Sequence, residues 1–167
     1  MLARMAARTP ELDDTEMTLL DALQRDARLS SAALAASVDM STTPTWRRVK
    51  KLEAAGLIQG YHAQLDARKL GFGIESFLSV KVHTHDERGI QLFEAAVMSI
   101  DEIVSCHLIS GTGDYLLRVV ARDMDDYAHF ITRVAARLPG VRETHSAFTL
   151  RTIKPFAGLP VRKARGA

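Results

Sequence analysis

A chain of 167 residues that is 47% hydrophobic and 25% charged has the composition of globular material, enough for one large domain or two small ones. Its formal net charge of +2 is too small an excess of Lys and Arg to indicate a nucleic-acid partner by itself. A single cysteine, Cys106, excludes an internal disulfide framework, and no run approaches the roughly 18 apolar residues of a membrane span, so a cytoplasmic protein is expected.

The first ten residues, MLARMAARTP, lack the apolar core of a secretory signal. Leu12 to Met17 then fits a helix start: Asp13 caps, Glu16 closes a capping box, and Leu12 staples onto Met17. Leu19, Leu20, Leu23 and Ala27 continue one apolar stripe. Ser30 caps a second, shorter helix in which Leu34 and Val38 are four apart. Asp39 and Met40 turn the chain into a third helix, capped by Ser41, with Pro44 in its first turn and Gly56 at its end. There Thr45, Val49 and Leu52 fall at i, i+4 and i+7 and face the core.

The other face of that third helix carries Thr42, Thr43, Trp46, Arg47, Lys50 and Lys51, and four of the five positions from Arg47 to Lys51 are basic. A basic helix face is most often merely solvated. Behind two short helices and a tight turn, however, the face suits a major groove, where Lys and Arg release counterions and Thr, Trp and Arg reach base edges. The DNA-contacting candidates are Ser41, Thr42, Thr43, Thr45, Trp46, Arg47, Arg48, Lys50 and Lys51. Trp46 stands between two readings, packing beside the apolar stripe and contact with a base.

Leu57 to Leu65 alternates loosely, as a strand or hairpin does, and Asp66 to Gly73 reads as the join to a second domain. Leu78, Val80 and Val82 alternate with Ser79, Lys81 and His83, a strand buried on one face. A helix with Phe93, Ala96, Val97 and Ile100 on one side follows. Ile103–Ser110 and Tyr115–Ala121 form a hairpin around Gly111-Thr112-Gly113-Asp114. Asp123 caps a last helix with the stripe Met124, Tyr127, Ile131, Val134 and Leu138, and Val141 to Ile153 is the last strand. The order β-α-β-β-α-β is the ferredoxin-like arrangement, whose uncovered sheet face is expected to be apolar and to be covered by a second copy in a homodimer.

The stretches LDDTEMTLLDALQRDARLS, MSTTPTWRRVKKLEAAGLIQGYHAQL, CHLISGTGDYLLRVVARDM and RLPGVRETHSAFTLRTIK resemble the Lrp/AsnC, or feast/famine, transcription regulators, without a gap from Leu12 to about Lys154. The resemblance implies an α+β chain: a winged helix-turn-helix domain on promoter double-stranded DNA over residues 12–57, a strand or hairpin linker over 58–73, and a ferredoxin-like effector-binding and oligomerisation domain over 74–154. A flexible start, 1–11, and a basic tail, 155–167, flank them. It further implies dimers assembling to an octamer and an amino-acid effector, leucine or another apolar one, held between subunits. The effector residues carried over are Leu108, Gly111, Thr112, Gly113, Asp114, Ala147, Phe148 and Thr149. A carboxylate at Asp114 suits an α-ammonium group, and glycine-rich amides suit a carboxylate. From spacing alone Asp114 reads rather as a turn residue bonding its own backbone. Asp39 stands where the family usually has glycine, and Ala147 is smaller than the aromatic often found there, which implies a roomier pocket.

Catalytic apparatus is not visible: no phosphate-binding glycine loop, serine elbow or zinc-histidine helix is present. His83 and His85 are a possible metal pair without an identifiable third ligand, and no cofactor or metal is expected. Cys106 and His107 are adjacent on a strand, so their side chains point to opposite faces. The tail cations Arg162, Lys163 and Arg165 suit weak phosphate attraction or simple solubility.

Overall fold

The computed structural model describes residues 11–83 and 86–161. Residues 1–10, His85 of the possible metal pair and the tail cations Arg162, Lys163 and Arg165 lie outside the described residues. The described chain divides into two compact units, residues 11–63 with 154–161, and residues 64–153.

The first unit contains α1 (Asp14–Arg25), α2 (Ser31–Ala36) and α3 (Thr42–Ala54). The capping box of α1 is complete: Asp13 Oδ1 accepts from Glu16 N at 2.7 Å and Glu16 Oε2 from Asp13 N at 3.2 Å. Ser30 caps α2 by accepting from Ala33 N at 3.1 Å. Ser41 sits at the N-cap of α3 with extended backbone, but its side chain makes no capping bond. Leu19, Leu34, Val49 and Leu52 form the core of this unit, with Leu12, Leu20, Leu23, Val38 and Ile58 packed against them. Each fully buried leucine contributes about 1.5–3 kcal/mol relative to an exposed one. Asp39, at φ 50°, is a non-glycine residue in left-handed geometry. It is exposed, so a glycine there loses no contact, and relief of the left-handed strain outweighs the added freedom of the unfolded chain. Asp39→Gly is therefore expected to stabilise the first unit by up to about 1 kcal/mol in thermal melts.

No strand or hairpin forms over 57–65. Leu57 N and Ile58 N bond back to Leu52 O, closing α3, and the chain then runs on without a partner ladder. Loose alternation is insufficient here because a strand exists only where another strand satisfies its backbone. Residues 154–161, expected as part of a separate tail, belong to this first unit. The Gln24 side chain clasps Leu159 there, donating through Nε2 to its carbonyl and accepting through Oε1 from its N–H, both at 2.8 Å.

The second unit contains β1 (Ile74–Val82), α4 (Glu87–Met98), β2 (Ile103–Leu108), β3 (Tyr115–Ala121), α5 (Met124–His129) and β4 (Val141–Phe148). The sheet is antiparallel in the order β2-β3-β1-β4. Asp86 caps α4 by accepting from Gly89 N at 2.8 Å, and Asp123 caps α5 by accepting from Asp126 N at 2.8 Å. Leu78, Val80, Val82, Tyr115, Leu117 and Val119 meet Phe93, Val97, Tyr127 and Phe130 in one core between sheet and helices. A buried Tyr127 hydroxyl joins the layers, accepting from Ser76 Oγ at 2.9 Å and donating to Ser146 Oγ at 2.8 Å.

Three expectations for this unit are corrected. The stripe of α5 is broken because a π turn (Phe130–Val134) and a 3-10 turn (Ala135–Arg137) continue the helix. The wider turn rotates the register, so Phe130 and Ala135 are buried, Ile131 and Val134 only partly, and Met124 is exposed. The last strand ends at Phe148, which faces Ser76 near the start of β1; beyond Thr149 N, which donates to Glu75 O, the partner strand has run out. The uncovered sheet face is mixed rather than apolar. Phe77, Leu116 and Ala147 alternate there with ion pairs of Arg118 to Glu75, Lys81 to Glu143 and His145 to Glu143. The Glu143 carboxyl is held below its ordinary range by its bonds to Lys81 and His145.

Candidate functional site

The basic cluster of α3 divides into two groups with different partners. Arg48 pairs with Asp13, and Lys51 Nζ donates to Glu16 Oε1 at 2.8 Å. Glu16 is only 3% exposed, and a buried carboxylate is tolerable only when its oxygens are engaged; the Asp13 N–H and the Lys51 ammonium engage both. The Asp13 carboxyl is held below its ordinary range by the Glu16 N–H first and by Arg48 second. Arg48 and Lys51 thus join α3 to α1, Arg48 with a side chain 33% exposed and Lys51 with one still 73% exposed. A signal was present in the sequence: Asp13 and Glu16 are three apart, as are Arg48 and Lys51.

Thr45 is corrected among the DNA-contacting candidates. It is 1% exposed, and its hydroxyl donates to Ser41 O at 2.9 Å, so it belongs to the core stripe. The side chains facing solvent are Ser41, Thr42, Thr43, Trp46, Arg47, Lys50 and Lys51. Thr43, Arg47 and Lys50 follow one another at i, i+4 and i+7 as a single row, with Thr42 and Trp46 in the adjacent row. Trp46 is half exposed and carries Lys50 Nζ 4.6 Å from its ring centroid, so packing and exposure are both present. Lys50 also donates to Glu53 at 2.6 Å, and Tyr61 OH donates to the same carboxylate at 3.1 Å. Arg47 has no hydrogen-bond or ion-pair partner among the described residues. It is the one cation of the cluster whose charge is uncommitted within the described chain.

In the second unit the β2–β3 hairpin loop is built by close approach. A Cβ at Gly113 would lie 2.3 Å from Ser79 Oγ, so that hydroxyl would have to turn away to admit one, and Gly111 adopts φ 129°. The Asp114 carbonyl closes the loop by accepting from Ile109 N at 2.9 Å, but its side chain does not bond its own turn. Its N–H donates to Val80 O and its Oδ2 accepts from Val82 N, both at 2.9 Å, which fixes the loop to the end of β1. Leu108 lies exposed beside this loop, opposite Tyr115.

Ala147, Phe148 and Thr149 are not brought to that loop within one protomer. They pair with the opening residues of β1, whereas the loop lies beside its closing residues. Ala147 and Phe148 also face opposite sides of the sheet: Ala147 opposes Phe77 on the uncovered face, and Phe148 packs edge-on against Tyr127 at 5.0 Å. The expected effector residues therefore form two half-sets at opposite ends of the sheet.

Cys106 opposes Leu117 on the helix-covered face and His107 opposes Leu116 on the other, and burial together with Glu94 pushes the Cys106 thiol up. Among the described residues no group of three or more His, Cys, Asp or Glu converges as a metal site, and no helix is long and apolar enough to cross a membrane.

Two family profiles match the chain: one described as winged helix-turn-helix DNA-binding over residues 12–59, and one described as the Lrp/AsnC ligand binding domain over residues 75–159. The chain is 36% identical over 150 residues to the DNA-binding transcriptional activator DecR of Escherichia coli (strain K12), covering 90% of this chain and 99% of that protein. It is 35% identical over 144 residues to the leucine-responsive regulatory protein of the same strain, covering 86% and 88%. Among solved structures, an L-Met complex of a transcriptional regulator from Neisseria meningitidis superposes with a TM-score of 0.85 at 33% identity, covering 90% of this chain and 97% of that one.

Proposed function

The chain belongs to the Lrp/AsnC family of DNA-binding transcriptional regulators, a winged helix-turn-helix unit followed by a ferredoxin-like ligand-binding domain, and from that premise we propose that it is a cytoplasmic, sequence-specific regulator of promoter DNA whose effector is an apolar amino acid. The observation that carries the reading is the solvent-facing row of α3, in which Arg47 has no partner within the described chain while Arg48 and Lys51 do. Thr42, Thr43, Trp46, Arg47 and Lys50, with Ser41 at the helix start, are the residues assigned to phosphates and base edges. Lys50 exchanges Glu53 for a phosphate on binding, a trade of one anion for another.

A relative named as leucine-responsive and a structural neighbour holding L-Met both support an apolar side chain on the effector. The two half-sets suit a site completed between subunits: Leu108 with Gly111, Thr112, Gly113 and Asp114 from one, and Ala147, Phe148 and Thr149 from another. The exposed Phe77 and Ala147, with the half-buried Leu116, support a homodimer through the uncovered sheet face, where the charged neighbours are already paired internally, and dimers assembling to an octamer would multiply the effector junctions. An effector bound there shifts the balance of assembly states in proportion to its differential affinity for them, and with it the spacing of the reading heads.

Salt dependence tests the assignment of DNA as partner. With about four phosphates neutralised, affinity for a promoter fragment falls roughly hundredfold between about 50 and 200 mM salt. Fluorescence anisotropy that finds a nearly flat dependence removes DNA and favours a partner protein bound through the same helix.

A further inference from the structure

A second polar site lies in the second unit, away from the β2–β3 loop. A cavity of about 90 Å³ opens between the turn that precedes β1 and the chain that follows β4, lined by Arg68, Gly73, Glu75, Thr149, Arg151 and Thr152 among others. Neither Arg68 nor Arg151 has a side-chain partner among the described residues. The Thr149 hydroxyl is buried there with no hydrogen-bond partner, although its backbone N–H is used on Glu75 O at 2.9 Å. The Glu75 carboxylate, the one anion at the wall, is already paired with Arg118.

These groups are held in place by their backbones. Asp66 Oδ1 accepts from Arg68 N at 3.1 Å and Lys69 N at 3.2 Å, and Gly71 N and Phe72 N donate back to Arg68 O and Ala67 O. Two guanidinium groups and the hydroxyls of Thr149 and Thr152, beside one carboxylate paired with Arg118, form a donor-rich site for an anion. Water would satisfy the hydroxyl, but an anion also meets the two positive charges that Arg68 and Arg151 bring to one cavity, where the one carboxylate is already shared with Arg118. A whole amino acid needs the larger volumes, roughly 300 Å³ upward, typical of small-molecule pockets.

We propose that this cavity binds a small tetrahedral oxyanion, with inorganic phosphate as the cellular ligand, through Arg68, Arg151 and the Thr149 hydroxyl. The bound ion ties the turn before β1 to the segment after β4. Thr149, just past the end of β4, then serves this cavity, while Arg68 and Arg151 lie outside the residues assigned to the effector and the DNA.

Thermal unfolding of the full chain tests it, titrating sodium phosphate against sodium chloride at matched ionic strength and pH. The parent protein shows a saturable rise in Tm with phosphate that chloride does not reproduce. Arg68→Gln and Arg151→Gln each weaken the phosphate midpoint by at least about tenfold, whereas Arg133→Gln, which removes one exposed positive charge elsewhere in the same unit, leaves it unchanged. A phosphate response no larger than that of chloride, or retained in either glutamine variant, overturns the proposal. A saturable response to acetate with none to phosphate overturns it as well, since the site would then select carboxylates.

Discussion

Arg47→Ala is expected to weaken promoter binding by roughly tenfold to hundredfold per reading head, the loss of one charge-assisted contact to a phosphate or guanine. The melting temperature of the protein stays where it was, because Arg47 makes no bond within the described chain that truncation could break. The slope of log affinity against log salt also falls by about one per head if the contact is to a phosphate. Arg48→Ala gives the opposite pattern: it strips Asp13 of its ion pair and removes positive charge from beside the buried Glu16, so stability drops first. Anisotropy and differential scanning calorimetry on the two variants separate reading from folding. Equal affinity for Arg47→Ala and its parent would remove α3 as the reading helix.

Asp114 carries the second large effect, and its two duties separate by choice of replacement. In the parent protein an apolar amino acid at about one hundred times its Kd raises apparent stability by about 2.7 kcal/mol. Asp114→Ala loses that response and also costs about 1–3 kcal/mol, because the Val82 N–H loses its acceptor in a partly buried position. Asp114→Asn keeps an oxygen for Val82 and so recovers most of the stability, but it has no charge to offer an α-ammonium group. A screen of the twenty amino acids on all three proteins therefore has a defined result: response in the parent, none in either variant, and near-parental melting only in the asparagine form. A ligand response that survives in Asp114→Asn would take the carboxylate out of the effector site and leave it as a clamp on β1.

The two predictions differ in how much of their basis was visible before folding was considered. The Asp13 and Glu16 capping box, the cap at Ser30 and the burial of Val49 and Leu52 were all legible, since each rests on residues three to seven apart on one helix. So was the alternation of Leu78, Val80 and Val82. The shape of the α3 charge was not. Sequence spacing places Arg47, Arg48, Lys50 and Lys51 in one basic run, but their partners are chosen by packing against α1 from 35 residues away. For the same reason the spacing of Asp114, which by itself suggests a local turn bond, does not show its acceptor duty 32 residues back on β1.

Local chemistry alone thus determined the caps, the helix faces, the strand alternation and the order of elements, because the interactions that decide them act within a turn or a pleat. Tertiary structure decided where the last strand stops, how the π turn re-registers α5, which sheet face is mixed, which cation of α3 is left without a partner among the described residues, and that Arg68 and Arg151 line one cavity. Each of these depends on a partner brought close only when the layers pack, and a buried charge or backbone group goes to whichever distant group satisfies it.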